Sequence, residues 1–325
     1  MSDARRPRLN FLPPLALFLL APLIGEFLLG NLPITWLWVL IVLAPLYGGG
    51  ALLVREAAVR LGAGWPGIFL LGLAYGVIEE GLVDQSLFNP TYLGLRLLDY
   101  GYVPSLGIGL WWTVYVLGLH LIWSVAASIG LAEALWPERA REPWLGRVTL
   151  PLTVVIFLFG CAATFAAQPG TFVASPAQLA LSVVVVLILV AAAALAGRRK
   201  APPLVAGSQP SPFALGALAL VALSLFLLAS WAIGRVPASA NAAFMLLDVA
   251  VLGGLILSWS RRQGWGSSHV LALVAGALAT YGWWGFVQLP SVPGSTPAID
   301  LIGNVVFAAG AAALLWLAWR RLPAA

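Results

Sequence analysis

The chain has 325 residues, of which 61% are hydrophobic and only 9% charged, against roughly 25% charged in an ordinary soluble domain. That balance excludes a soluble globular protein and predicts an all-α, polytopic transmembrane bundle. The net charge of +5 does not point to nucleic acid, because the basic residues fall in short loops between apolar runs, where they report topology.

Arg5, Arg6 and Arg8 precede an apolar run over 11–30 that carries Glu26. The run is too long for a signal peptide and lacks a small-x-small cleavage site, so it reads as an uncleaved first span. Further spans are predicted over 32–54, 66–88, 106–136, 148–167, 177–197, 213–234, 238–258, 270–288 and 299–319. Each of the ten has about the length needed to cross a ~30 Å core.

With both termini cytoplasmic, the inner segments hold Arg5, Arg6, Arg8, Arg55, Arg60, Arg139, Arg141, Arg147, Arg198, Arg199, Lys200, Arg261, Arg262, Arg320 and Arg321, and only Arg96 and Arg235 fall outside. Removing or adding one span puts whole basic loops on the wrong side. The linker over 201–211, with Pro202, Pro203 and Pro210 and with Pro212 just after it, divides a six-span region (1–200) from a four-span region (213–325) of one membrane domain. The long outer connection after Asn89 carries Tyr92, Tyr100 and Tyr102, rings that favour headgroup depth and suggest an interfacial cap. The lone Cys161 excludes a disulfide within the chain, and its apolar surroundings fit a structural thiol.

The chemistry concentrates in the third span, where Glu79, Glu80 and Asp84 interrupt an apolar run. Acids at membrane depth cost a few kcal/mol each to insert and mark a specific environment. At 1.5 Å per residue, Glu79 and Glu80 lie about 20 Å from the inner end of their helix and Glu26 about 22 Å from that of the first span, so they share a layer. If Trp111 and Trp112 mark the outer belt of the fourth span, His120 lies roughly 13 Å below it, within reach of that layer, and Ser124 one turn deeper. Asp248, in the middle of the eighth span, is a further candidate to line it. Glu80 and Asp84 are four apart and share a helix face, whereas Glu79 is turned about 100° from Glu80, so that one glutamate faces a cavity and the other a neighbouring helix. Carboxylates this close in low dielectric share protons rather than all ionising. Gly48, Gly49 and Gly50 are read as permitting close helix packing.

The pair Glu79-Glu80, followed one helix later by His120, resembles the CAAX protease and bacteriocin-processing (CPBP) group of intramembrane glutamate proteases over residues 64–138. The resemblance implies that Glu79 or Glu80 activates water, with His120 binding that water or the oxyanion. The chain carries Asp84 where that family has arginine and Val116 where it has phenylalanine, and His269 is followed four residues later by Leu273 rather than by Asn or Asp.

The resulting expectation is an intramembrane endopeptidase of the cell membrane, with catalytic Glu79, Glu80 and His120 supported by Glu26, Asp84, Ser124 and Asp248. Its partners would be membrane lipid and a membrane-associated peptide or lipidated protein substrate, with no nucleic acid. No cofactor is expected, since there is no His-Glu-x-x-His and no Cys/His set with zinc spacing, although a metal held by Glu79, Glu80 and His120 stays open. Two other readings fit the same residues: a proton-coupled transporter, which also uses intramembrane acids, and an inactive protease-like scaffold.

Overall fold

The computed structural model describes residues 11–168, 170–199 and 203–322. Arg5, Arg6, Arg8, Lys200 and Pro202, used in the topology argument, lie outside them. A bilayer offers no hydrogen-bonding solvent, so each apolar run satisfies its backbone internally as a helix. Among the described residues, eight helices are long and apolar enough to cross: α2 (Ile34–Leu61), α3 (Gly64–Val83), α4 (Leu110–Leu135), α5 (Thr149–Ala167), α6 (Pro176–Arg198), α7 (Pro212–Ala232), α8 (Ala238–Trp259) and α10 (Pro297–Arg321). The other two predicted spans fall on shorter helices, α1 (Leu12–Leu28) and α9 (Ser267–Trp284). The chain is thus a helical multi-pass membrane protein.

The core is formed by α1 to α4 with α7 and α9, while α5, α6 and α10 present mostly exposed aliphatic side chains, the pattern of helices that face lipid. Close approach depends on glycine. A Cβ on Gly48 would overlap the Phe18 carbonyl, and one on Gly50 the Tyr75 ring. At the α7/α9 contact, a Cβ on Gly276 would come within 2.5 Å of the Gly216 carbonyl. Helix α4 leans on α9 through Trp123, whose indole stacks on Tyr281 at 4.2 Å and donates to the Ala277 carbonyl at 2.7 Å.

At one end of the bundle the connection between α3 and α4 forms a cap that includes the two-residue strands β1 (Tyr102–Val103) and β2 (Ile108–Gly109). Tyr100 ties it to the Val236 carbonyl at 2.6 Å. Trp111 and Trp112 do not form an outward belt. Trp111 is buried and stacked on Tyr115 at 4.8 Å, its indole N–H without a hydrogen-bond partner among the described residues, and Trp112 donates to Ser86 at 3.0 Å, a protein acceptor in place of a headgroup.

At the opposite end, Arg55 is not a loop charge. Its guanidinium is fully buried and meets Glu133 (3.1 Å), Glu56 (3.2 Å) and the carbonyls of Arg139, Ala140 and Glu142. Trp144 stacks on it at 3.8 Å, and Glu56 accepts from the Trp144 backbone N–H at 2.6 Å. All the donors of one planar fork are thereby used to fasten the loop after α4 to α2.

Candidate functional site

Four of the helices widen into π turns: Leu23–Leu28 in α1, Ala44–Gly48 in α2, Ile78–Val83 in α3 and His120–Ala127 in α4. Each carries a polar side chain of one cluster: Glu26, Tyr47, Glu79 with Glu80, and His120 with Ser124. A π turn closes i to i+5, is rare, and concentrates at functional sites. It also holds more residues per turn than an α-helix, so neighbouring side chains diverge by less than about 100°. This corrects the expectation that Glu79 and Glu80 face different ways, because both reach His120.

His120 Nε2 lies 2.7 Å from Glu80 Oε1 and His120 Nδ1 lies 3.2 Å from Glu79 Oε2. The Ser124 hydroxyl is 3.4 Å from the same Nδ1. The second oxygen of Glu80 accepts from the Ser86 hydroxyl, itself the acceptor for Trp112. Glu26 accepts from the Tyr47 hydroxyl at 2.5 Å and from the Asn31 amide at 2.8 Å, and the Tyr47 ring lies 5.8 Å from that of His120. Tyr75 flanks the imidazole at 5.9 Å. Its hydroxyl sits beside Glu79 with no hydrogen bond of normal geometry among the described residues. Glu79 is 1% exposed and Glu80 and His120 are each 5% exposed, so the cluster is sealed.

The two carboxyl contacts of the ring differ in kind. A neutral imidazole has one donor and one acceptor nitrogen, and an imidazolium has two donors. At Nε2 the 2.7 Å contact is a hydrogen bond, made either by the ring N–H donating to the Glu80 carboxylate or by a protonated Glu80 donating to the ring. At Nδ1, Glu79 Oε2 lies 3.2 Å away without hydrogen-bond geometry, so that contact is one of charge proximity alone.

Asp84 lies just past the π turn and belongs to the cover of the site rather than to its centre. It accepts from the Tyr92 hydroxyl at 2.8 Å and from Gln168 at 3.2 Å. Burial first, and Asp84 beside it, push the Tyr92 phenol above its ordinary range, so it stays a donor. The next residue, Gln85, is buried with φ of 55°, a conformation uncommon outside glycine that persists only where surrounding contacts impose it. Here the side chain accepts from the Ala174 N–H at 2.7 Å. Asp248 is not brought to the cluster: its helix packs on α4 through the α4 segment Leu110–Leu119 and on α7, and its Oδ2 has no hydrogen-bond partner among the described residues. His269 caps the start of α9 through the Gly266 N–H at 3.2 Å, and Asn304 donates to the Gly285 carbonyl at 2.6 Å, so neither adds to the site. Tyr47, Tyr75, Ser86, Trp112 and Gln168 were not singled out from the sequence as site residues. The only signal available was that hydroxyls and ring donors recur in the apolar runs flanking the acids.

A family model described as an uncharacterized membrane protein family matches residues 15–322. No curated protein and no solved structure matches the chain. The matched family overturns the resemblance to the CPBP proteases, which had rested on two short motifs in one helix pair, whereas the match spans almost the whole chain.

Proposed function

We propose that this chain, which belongs to that uncharacterized membrane protein family, is a cell-membrane acid–base enzyme that hydrolyses a bond in a membrane-associated peptide or lipidated protein. The observation that supports this reading is the convergence of Glu79 and Glu80 on the two nitrogens of His120, at 3.2 and 2.7 Å, framed by four π turns. In this scheme one glutamate takes a proton from water as its oxygen adds to the carbonyl carbon. The proton crosses His120 and is delivered to the leaving nitrogen as the carbon–nitrogen bond breaks. The Tyr75 hydroxyl, beside Glu79, is placed to donate to the developing oxyanion. The scheme uses no metal.

The same reading places ten crossings with both chain ends in the cytoplasm, so that the site lies in the outer half of the membrane and the Arg55 cluster at the inner face. A second reading, proton-coupled transport, is favoured by one observation: polar side chains continue from Glu80 and Asp84 to Ser86 and Tyr92 on the cap side. Purified protein in detergent, incubated with membrane-associated peptides, separates the two. Cleavage that is lost in Glu80→Gln supports the enzyme. Absence of cleavage, together with solute uptake into proteoliposomes driven by a pH gradient, supports the transporter.

A further inference from the structure

The wall of the site has an apolar reverse side. Behind the π turn that carries Glu26 lies a partly open crevice of about 210 Å³, walled by Leu20, Ile24 and Leu28 of α1, Leu278 of α9 and Phe307 and Gly310 of α10. All its lining residues are apolar, and Phe27 packs on Phe307 at 5.3 Å beside it. Water does not settle in such a space, since it needs two to four polar partners; an aliphatic cavity of about 150 Å³ stays dry but admits benzene. The space suits a hydrocarbon chain rather than water.

The position of the crevice identifies which hydrocarbon. Its α10 wall runs from Val306 to Leu314, in the middle of a helix of 25 residues, so it lies about 13–26 Å along a helix about 37 Å long. With α10 crossing a ~30 Å core from end to end, that stretch falls at the bilayer midplane, where lipid chains end and no headgroup reaches. Helix α10 exposes Leu301, Ile302, Val305 and Val306 on the approach, so the crevice continues a lipid-facing surface.

We propose that this crevice is a binding site for the terminal segment of one acyl chain of a bilayer phospholipid, which packs the reverse side of the turn that presents Glu26. The site is independent of whether the cluster hydrolyses, transports or does neither.

The test uses the full chain in phosphatidylcholine nanodiscs doped with a phosphatidylcholine that carries a diazirine near the methyl end of one chain. After irradiation, labelled peptides are mapped by mass spectrometry. Labelling concentrated on peptides containing residues 20–28 and 306–314 is expected. Gly310→Phe, at a position where an added Cβ meets nothing within 4 Å, fills the space and lowers that labelling at least fivefold. Ile302→Phe, on the same lipid face, leaves it unchanged, and a diazirine near the headgroup gives none. Should Gly310→Phe fail to fold, Ala311→Leu is the second filler. Labelling spread evenly along α10, or labelling indifferent to the filler that folds, overturns the proposal.

Discussion

Glu80 and His120, forty residues apart in sequence, meet at 2.7 Å with both side chains almost fully buried. A contact of that length between an acid and an imidazole, closed to water, is a position at which proton transfer costs little reorganisation. The proposed chemistry turns on it. Glu79→Gln and Glu80→Gln should each lower turnover of a membrane-associated peptide by at least about 10²-fold, the scale of a lost general base. His120→Ala should fall as far, since it removes the relay between them, while a chelator should leave turnover unchanged. Steady-state rates on proteins of matched expression and melting temperature check this, and full activity in either Gln variant sinks the assignment.

The Arg55 cluster carries a stability prediction. Arg55→Leu leaves Glu133 and the Ala140 and Glu142 carbonyls without the guanidinium that donates to them and takes one of several donors from Glu56 and the Arg139 carbonyl, and breaking a buried pair costs about 3–5 kcal/mol. Arg60, which also meets Glu56 but is 41% exposed, should cost under about 1 kcal/mol on replacement by Ala. Reversible unfolding in mixed detergent micelles measures both. Equal effects would mean that the loop is fastened elsewhere.

Two glycines offer a matched comparison. In Gly50→Ala the new methyl overlaps the Tyr75 ring, and overpacking of this kind costs about 1–3 kcal/mol. In Gly253→Ala nothing lies within 4 Å, so the change should be neutral or stabilise by up to about 1 kcal/mol through helix propensity. Melting temperatures should move in opposite directions or differ by several degrees; identical shifts would show that Tyr75 yields freely.

Tyr92 sets an alkaline limit. Burial first, and Asp84 beside it, raise its phenol above the ordinary value of 10.0, so the folded state holds a proton that the unfolded chain releases at that pH. The stability tied to this proton is intact below pH 10.0 and declines as the pH rises above it. Tyr92→Phe should lose about 1 kcal/mol at neutral pH with its hydrogen bond, yet decline less steeply between pH 10 and 11. Denaturation curves across that range check the slope, and an unchanged slope would mean that Tyr92 ionises freely in the fold.

The proposed topology is open to a direct check. Reporter fusions after Arg199 and after Arg321 should both read cytoplasmic, because Arg198, Arg199, Arg320 and Arg321 cluster at those ends. An external reading at either position removes the ten-crossing arrangement.

The sequence carries the spans openly, since apolar runs of the required length leave the backbone no alternative to helix. Depth was legible as well. Counting 1.5 Å per residue puts Glu26, Glu79 and Glu80 at one level, because rise is nearly uniform, whereas the level of His120 was counted from Trp111 and Trp112, which form no outer belt. Facing was not. Rotation accumulates with every π turn, and nothing in Ile78 to Val83 distinguishes a π turn from an α turn by composition, so the 100° rule failed for Glu79. Arg55 misled for a different reason. Charge counting treats every arginine near a span end as a loop residue, whereas the partners that bury this one, Glu133 and the carbonyls around Arg139, lie far along the chain. Asp248 belongs to a helix that packs on the Leu110–Leu119 segment of α4 and on α7, which helical counting within one span does not reveal.

The bond from Trp123 to the Ala277 carbonyl spans 154 residues of sequence, and this separation has a meaning in time. At about 5–20 residues per second of synthesis, the helix that carries His120 is made about 8–30 s before its acceptor exists. Through that interval the indole N–H of Trp123 has no permanent partner, and the π turn it braces has no Tyr281 to stack on. The packing that holds the His120 segment from its other side is therefore completed late, by a helix that supplies no acid or imidazole to the cluster.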